Sequence, residues 1–145
     1  MIKKTSKSKT GTKTRSRFKS APPKRDSLPK LLEKAQKVFN KYIRDRDEGL
    51  TCISCGGNNA NQSGHYFPVK GFAYLRFNEW NVNRQCPGCN MWLHGNQAMY
   101  RIGLVKKIGE KAVMELEAEA ISHRIYKFSI QEVKDIIQKY TQDES

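Results

Sequence analysis

Residues 51–57 read TCISCGG and residues 81–90 read NVNRQCPGCN, and between them they hold all four cysteines of the 145-residue chain. The cysteines fall in two pairs, Cys52-x-x-Cys55 and Cys86-x-x-Cys89. Two-residue spacing lets both thiolates of one turn reach the same metal ion, and two such turns complete a tetrahedral S₄ set. Gly56 and Gly57 after the first pair, and Gly88 inside the second, supply the backbone freedom that these turns need. Disulfides and a thioredoxin-like redox motif are the competing uses of such pairs. The first needs an oxidising compartment and the second a βαβ pattern, and the sequence points to neither. The four cysteines are therefore read as ligands of a structural Zn²⁺ that staples short elements together.

Outward from these turns the chain reads as helices. Ser27 can cap a helix with Pro29 in its first turn, where a missing N–H costs little. Leu31, Leu32, Ala35, Val38, Phe39, Tyr42 and Ile43 recur at three- and four-residue spacing and form one stripe, which should end near residues 47–49. After the polar loop 58–63, strands are expected at 65–69 and 74–77, with Gly71 between them. A helix should begin near residues 87–90 and run to about residue 107, interrupted at Gly95 and Asn96 and closed by Gly109. Residues 110–122 read as a further helix, and Ser129 can cap a last one striped by Ile130, Val133, Ile136, Ile137 and Tyr140. Phe77, Trp80 and Trp92 are read as packing of a small core. The fold class is α+β: α-rich, around a small zinc-stapled centre.

The charge is unevenly placed. The formal net charge is +13, yet residues 1–25 alone contain ten Lys or Arg and no Asp or Glu. The remaining 120 residues carry seventeen basic and fourteen acidic groups. The first segment has almost no aliphatic side chains, so residues 1–26 are read as a disordered basic arm and residues 27–145 as a single domain. Lys3, Lys4, Arg15 and Arg17 of that arm suit phosphate, because each phosphate neutralised releases a counterion. No apolar run approaches the roughly 20 residues needed to span a bilayer, and no apolar core follows the basic N-terminus. A membrane protein and a secretory signal are thus not expected, and the expected location is the cytoplasm.

Between and beside the cysteine pairs lie His65, Asn81, Asn90 and His94. A neutral His can take a proton from water, an Asn can hold that imidazole, and a hard cation can polarise a phosphate. Asn90 and His94, four residues apart, would share a helix face. Arg76, Arg84 and Arg101 lie close in sequence to this group and are expected to contact phosphate.

The order Cys52, Cys55, His65, Asn81, Cys86, Cys89, Asn90 resembles zinc-containing members of the HNH (ββα-metal, treble-clef-like) nuclease superfamily. That resemblance implies His65 as general base and Asn81 as the residue that orients it. It also implies Asn90, with His94 as a neighbour able to substitute, as ligand of a catalytic Mg²⁺ or Mn²⁺. Two positions depart from the pattern: Gly64 stands where many members have a metal-binding Asp, and Asn90 where His is commoner. Asn61, Asn83 or Glu79 are the residues that could complete the cation's shell.

With its flanks included (KAQKVFNKYIRDRD, CISCGG, GHYFPV, LRFNEWNVNRQCPGCN, GNQAMYRIGLVKKIG), the chain is similar to the NinG (Rap) family of lambdoid phages over roughly residues 27–125. The resemblance implies a metal-dependent, structure-specific endonuclease that cuts branched recombination intermediates such as D-loops and Holliday junctions. Its implied partners are branched DNA and other recombination proteins. A homodimer would match the near two-fold symmetry of a junction. The alternative is a non-catalytic, zinc-dependent DNA-binding accessory protein, with an RNA-binding zinc protein as a third possibility. Deleting residues 1–26 is expected to weaken DNA binding and flatten its salt dependence while leaving turnover of bound DNA largely unchanged, which a binding titration at several salt concentrations together with single-turnover cleavage will measure.

Overall fold

The computed structural model describes Ala21 and residues 24–142. The expected basic arm, including Lys3, Lys4, Arg15 and Arg17, lies outside the described residues except for its last few positions. Four α-helices surround one two-stranded sheet: α1 Leu28–Arg46, β1 Gln62–His65, β2 Val82–Gln85, α2 Gln97–Ile108, α3 Glu110–Ser122 and α4 Ile130–Gln142. A 3₁₀ turn at Ala73–Leu75 and a single π turn at Gly88–Trp92 complete the regular elements. Among the described residues no helix is long and apolar enough to cross a membrane.

The helices form where the apolar spacing placed them. In α1, Leu31, Ala35, Phe39 and Ile43 are buried at four-residue intervals, a single ridge that seats against α4. Leu31 and Ala35 meet Val133, whereas Phe39 and Ile43 meet Tyr140, so α1 and α4 run the same way. The start of α4 is fixed by a reciprocal cap: the Glu132 N–H donates to Ser129 Oγ while the Ser129 N–H donates to the Glu132 carboxylate. Gly109, at φ 89°, ends α2 and starts α3 at once, a conformation that a side chain would strain. A second apolar cluster, with Tyr66, Leu75, Tyr100, Leu104, Val113 and Leu116, lies between the hairpin and the α2–α3 pair.

The strands differ from the expectation. β1 pairs antiparallel with β2, Gln62 opposite Gln85 and His65 opposite Val82, so the partner strand is 82–85 and not 74–77. Residues 74–77 instead turn, because their rings are wanted elsewhere: Phe77 stands edge-on to Phe39 and Phe128, and Tyr74 stacks on His123. β2 was hard to see because only Val82 of its four residues is apolar; Asn83 and the Gln85 amide nitrogen find their partners far along the chain. The two tryptophans also depart from the core role: Trp80 is 44% and Trp92 79% exposed.

Between the two apolar clusters lies a charged knot. Asp47, the residue that ends α1, is buried at 1% exposure. Its two oxygens accept from Arg46 Nε and Nη2 at 2.8 Å each, from Lys107 Nζ at 2.8 Å and from the Arg84 backbone N–H at 3.0 Å. Arg46 reaches on to the carbonyls of Glu79 and Val82 and to Asn83 Oδ1. Burial alone would raise the Asp47 pKa, but the hydrogen bonds and charges of Arg46 and Lys107 and the Arg84 N–H hold it below the ordinary carboxylate value of 3.8. A depressed carboxyl stabilises the fold above its unfolded pKa, and that contribution is lost as pH falls through the folded value. Replacing Asp47 by Ala strands two cations and is expected to cost about 3 kcal/mol in denaturant unfolding at neutral pH. The wild type should lose this advantage over Asp47→Ala progressively below pH 3.8.

Candidate metal centre and active site

The first cysteine turn closes on itself: the Cys52 N–H donates to Gly57 O and the Gly56 N–H to Cys52 O, with Gly56 at φ 73°. The Ile53 N–H then donates to Arg84 O at 3.0 Å, which clips this turn to the free edge of β2. The second turn follows β2 directly, with the Asn90 N–H on Cys86 O. The four sulfurs end within 4.8 Å of one another, and Cys55 and Cys86 Sγ are 3.7 Å apart. A tetrahedral thiolate site with metal–sulfur bonds of about 2.3 Å requires sulfurs roughly 3.8 Å apart. The cysteines are thus positioned to bind one metal ion.

Protein groups favour a thiolate at Cys52 and oppose one at Cys55 and Cys89. The Cys89 N–H donates to Cys86 Sγ and Asn96 Nδ2 to Cys89 Sγ. Burial opposes ionisation of Cys52, but hydrogen bonds from the Cys55, Cys86 and Ser54 backbone bring its pKa down to about 7. Burial pushes Cys89 up to about 12 against the Asn96 hydrogen bond, with Cys86 and Cys55 adding to the rise. Four sulfurs this close cannot all ionise unaided, and a dication removes the conflict.

His65 closes β1. Its Nε2 lies 3.0 Å from Arg76 O. A carbonyl only accepts, so Nε2 carries the proton, and in the neutral ring Nδ1 holds the lone pair. Burial lowers the imidazole pKa below its ordinary 6.5; the hydrogen bond to the Arg76 carbonyl works against this, and the Arg76 charge adds to it. His65 is therefore neutral at pH 7, with one nitrogen anchored and the other able to accept a proton.

Asn81 acts on this arrangement at one remove. Its Oδ1 accepts from the Phe67 N–H, and its Nδ2 donates to Phe67 O and Leu75 O. It ties the segment after His65 to the segment that presents the Arg76 carbonyl, so it sets the position of the imidazole's partner without touching the ring. Asn90 Nδ2 donates to Gln62 Oε1 at 2.8 Å, leaving Asn90 Oδ1 as an oxygen donor. Gln62 and His65 stand at opposite ends of β1, about 10 Å apart along the strand. His94 is not on a shared helix face with Asn90: it is exposed and left-handed at φ 49°, beyond the end of the π turn. No hydrogen bond joins His65 to Asn81, Asn90 or His94 among the described residues.

The arginines divide three ways. Arg76 lies beside His65, with its Nε on Gln36 Oε1. Arg84 stands opposite Ser63 in the hairpin, its Nε buried without a hydrogen-bond partner. Arg101 is held by Glu117 and Glu110 and so braces α2 against α3. Of the residues considered for the cation shell, Asn83 is buried on Arg46, Lys107 and Tyr100, and Glu79 is taken up by Tyr42, Tyr140 and Lys139. Asn61 is exposed just before β1. At Gly64, a Cβ would stand 2.0 Å from Gln85 Oε1. That oxygen is buried and unpartnered, while Gln85 Nε2 is fixed on Ser54 Oγ and Gly95 O.

Gln36 and Gln85 could not be singled out from the sequence, since each acts only through a residue far along the chain. One signal was legible there: residues 49–109, which contain every cysteine and His65, include a single acidic residue, Glu79, against six Lys or Arg.

The chain matches the family described as "Bacteriophage Lambda NinG protein" over residues 2–144. It belongs to the NinG family. The NinG protein of Escherichia phage lambda is 40% identical over 113 residues, covering 77% of this chain and 54% of that protein. Those of Escherichia phage 933W and Salmonella phage P22 are each 38% identical over 113 residues, again 77% of this chain and 55% and 54% of theirs. The match thus spans about half the length of these NinG relatives. No solved structure matches the chain.

Around the four sulfurs the buried apolar groups are few, Ala60 apart from the cysteines themselves, so a metal must supply the cohesion that side chains do not. Elemental analysis of purified protein is expected to find one tightly bound metal ion per chain. Stripping it with a strong chelator should lower the thermal midpoint and release the hairpin, seen as loss of amide protection in hydrogen exchange.

Proposed function

We propose that the chain is a metal-dependent endonuclease that hydrolyses phosphodiesters of branched DNA. The observation that carries the reading is His65, a neutral imidazole pinned through Nε2–H with Nδ1 free, built onto a hairpin beside a four-sulfur centre in a chain of the NinG family. Zinc is the ion assigned to the cysteines, on their donor set and spacing, and it takes no part in the chemistry. His65 Nδ1 accepts a proton from water as the water oxygen bonds to phosphorus. The phosphorus–oxygen bond opposite breaks, and the leaving oxygen takes a proton from solvent, so one end keeps the phosphate and the other a hydroxyl. Arg76, anchored by Gln36, contributes positive charge beside the base. Asn81 keeps the Arg76 carbonyl in place under the imidazole.

The donor set suits a hard divalent cation only in part. Asn90 Oδ1, or His94 from the loop that follows, would hold Mg²⁺ or Mn²⁺, which when bound would supply charge to the phosphate oxygens. Both ligands are neutral, so the DNA phosphate provides the anionic ligand and the cation's affinity depends on substrate. This shortage of carboxylate favours one alternative, a zinc-dependent DNA-binding accessory protein without activity. Branched DNA as the substrate, other recombination proteins as partners and a homodimer remain parts of the proposal.

Incubating the wild type and His65→Ala with a labelled four-way junction and the matching linear duplex, in Mg²⁺, Mn²⁺ or EDTA, separates the two readings. The expected result is metal-dependent nicking near the branch by the wild type, reduced by about 10²-fold or more in His65→Ala, with metal content and DNA affinity retained. Because the His65 pKa lies below 6.5, the rate should rise with pH on the acid side and level off by neutrality. Junction binding by both proteins without cutting in any metal would support the accessory reading.

A further inference from the structure

Three consecutive large apolar residues stand out from the second cysteine turn: Met91 at 58%, Trp92 at 79% and Leu93 at 59% exposure. Soluble chains seldom leave such a run to water without using it. The run is also held in place. Asn90 N–H donates to Cys86 O, Leu93 N–H to Gly88 O and Gly95 N–H to Cys89 O, while Gln62 Nε2 reaches Met91 Sδ at 3.4 Å. Cys89 beneath it is buried among the four sulfurs. The segment is thus a fixed apolar prow, immediately after Asn90.

Charge selects its occupant. The prow is part of the 49–109 stretch, whose one carboxylate, Glu79, is taken up by Tyr140 and Lys139. At a formal net charge of +13, a second copy docked here would bring two strongly cationic chains together. An anionic polymer with flat apolar faces suits both properties at once, and nucleic acid bases are such faces. Within a fully stacked duplex those faces are covered, whereas at a branch point they are reachable.

We infer that Trp92, flanked by Met91 and Leu93, is a wedge that stacks on a base exposed at the branch, and so selects branched over linear DNA. The inference rests on the DNA reading above and adds the residue that makes it structure-specific. Phosphate contacts from the arginines bind any DNA; the indole binds only where a base can leave its stack. The hydrogen-bonded backbone of the prow matters, since a segment already ordered loses less entropy on binding.

The test is equilibrium binding of full-length wild type, Trp92→Ala and Trp92→Phe to a four-way junction and a matching duplex, in EDTA at one fixed salt concentration. Trp92→Ala is expected to weaken junction binding about tenfold or more, the loss that removal of one base–aromatic stack produces, with duplex binding nearly unchanged. Trp92→Phe should recover most of the difference. In a Trp80→Phe background, where Trp92 is the sole tryptophan, the junction should quench emission more than the duplex does. Equal binding of junction by wild type and Trp92→Ala overturns the wedge, as does an equal loss on both DNAs. A fall from dimer to monomer mass in Trp92→Ala with DNA affinity intact assigns the prow to self-association and also overturns it. Failure of the wild type to bind either DNA removes the DNA reading itself, a result distinct from equal binding by the variants.

Discussion

Asp47 is the point on which the architecture turns. It ends α1, receives the cations of Arg46 and Lys107, and takes the backbone N–H of Arg84 in β2. One carboxylate therefore fixes the first helix, the second strand and α2 relative to one another. Neither apolar cluster could do this alone, because one belongs to the α1–α4 pair and the other to the α2–α3 pair. Burying a charge is costly unless it is fully paired, and here every lone pair is addressed. The cost is offset by definition: Arg46, drawn onto the carbonyls of Glu79 and Val82, fixes where β2 starts, and the register of β2 fixes His65.

A consequence runs through the electrostatics. The acids nearest the hairpin are neutralised within the fold, Asp47 by Arg46 and Lys107, Glu79 by Lys139, and Glu117 by Arg101. Those pairings leave the hairpin's own acidic neighbours without a free carboxylate.

The helices and the cysteine centre were legible in the sequence because both depend on local spacing. Leu31, Ala35, Phe39 and Ile43 advertise their helix whatever lies opposite, and two Cys-x-x-Cys turns carry their purpose in four residues each. What depends on distant partners was not legible. β2, with Asn83, Arg84 and Gln85, looks like loop until Arg46, Asp47 and Ser54 are brought to it. Residues 74–77 look like strand because an alternation of rings cannot say whether it faces a sheet or an aromatic cluster. Asp47 sits in the string RDRDEG, where a buried acid and a solvated one read alike. Asn81 was expected to orient the imidazole, and its bonds run to Phe67 and Leu75, next to the carbonyl that meets the ring, instead of to the ring itself.

Gly64 and Gln85 share one volume, and this bears on how the site could change over generations. With Gln85 pinned through its amide nitrogen, any side chain at 64 collides with the buried oxygen opposite. An aspartate at 64 introduced alone would have to displace the Gln85 side chain. A smaller residue at 85 would make the room, and doing so abandons the contacts to Ser54 and Gly95 that steady both cysteine turns. Positions 64 and 85 are thus sterically coupled, and a side chain at one requires a change at the other.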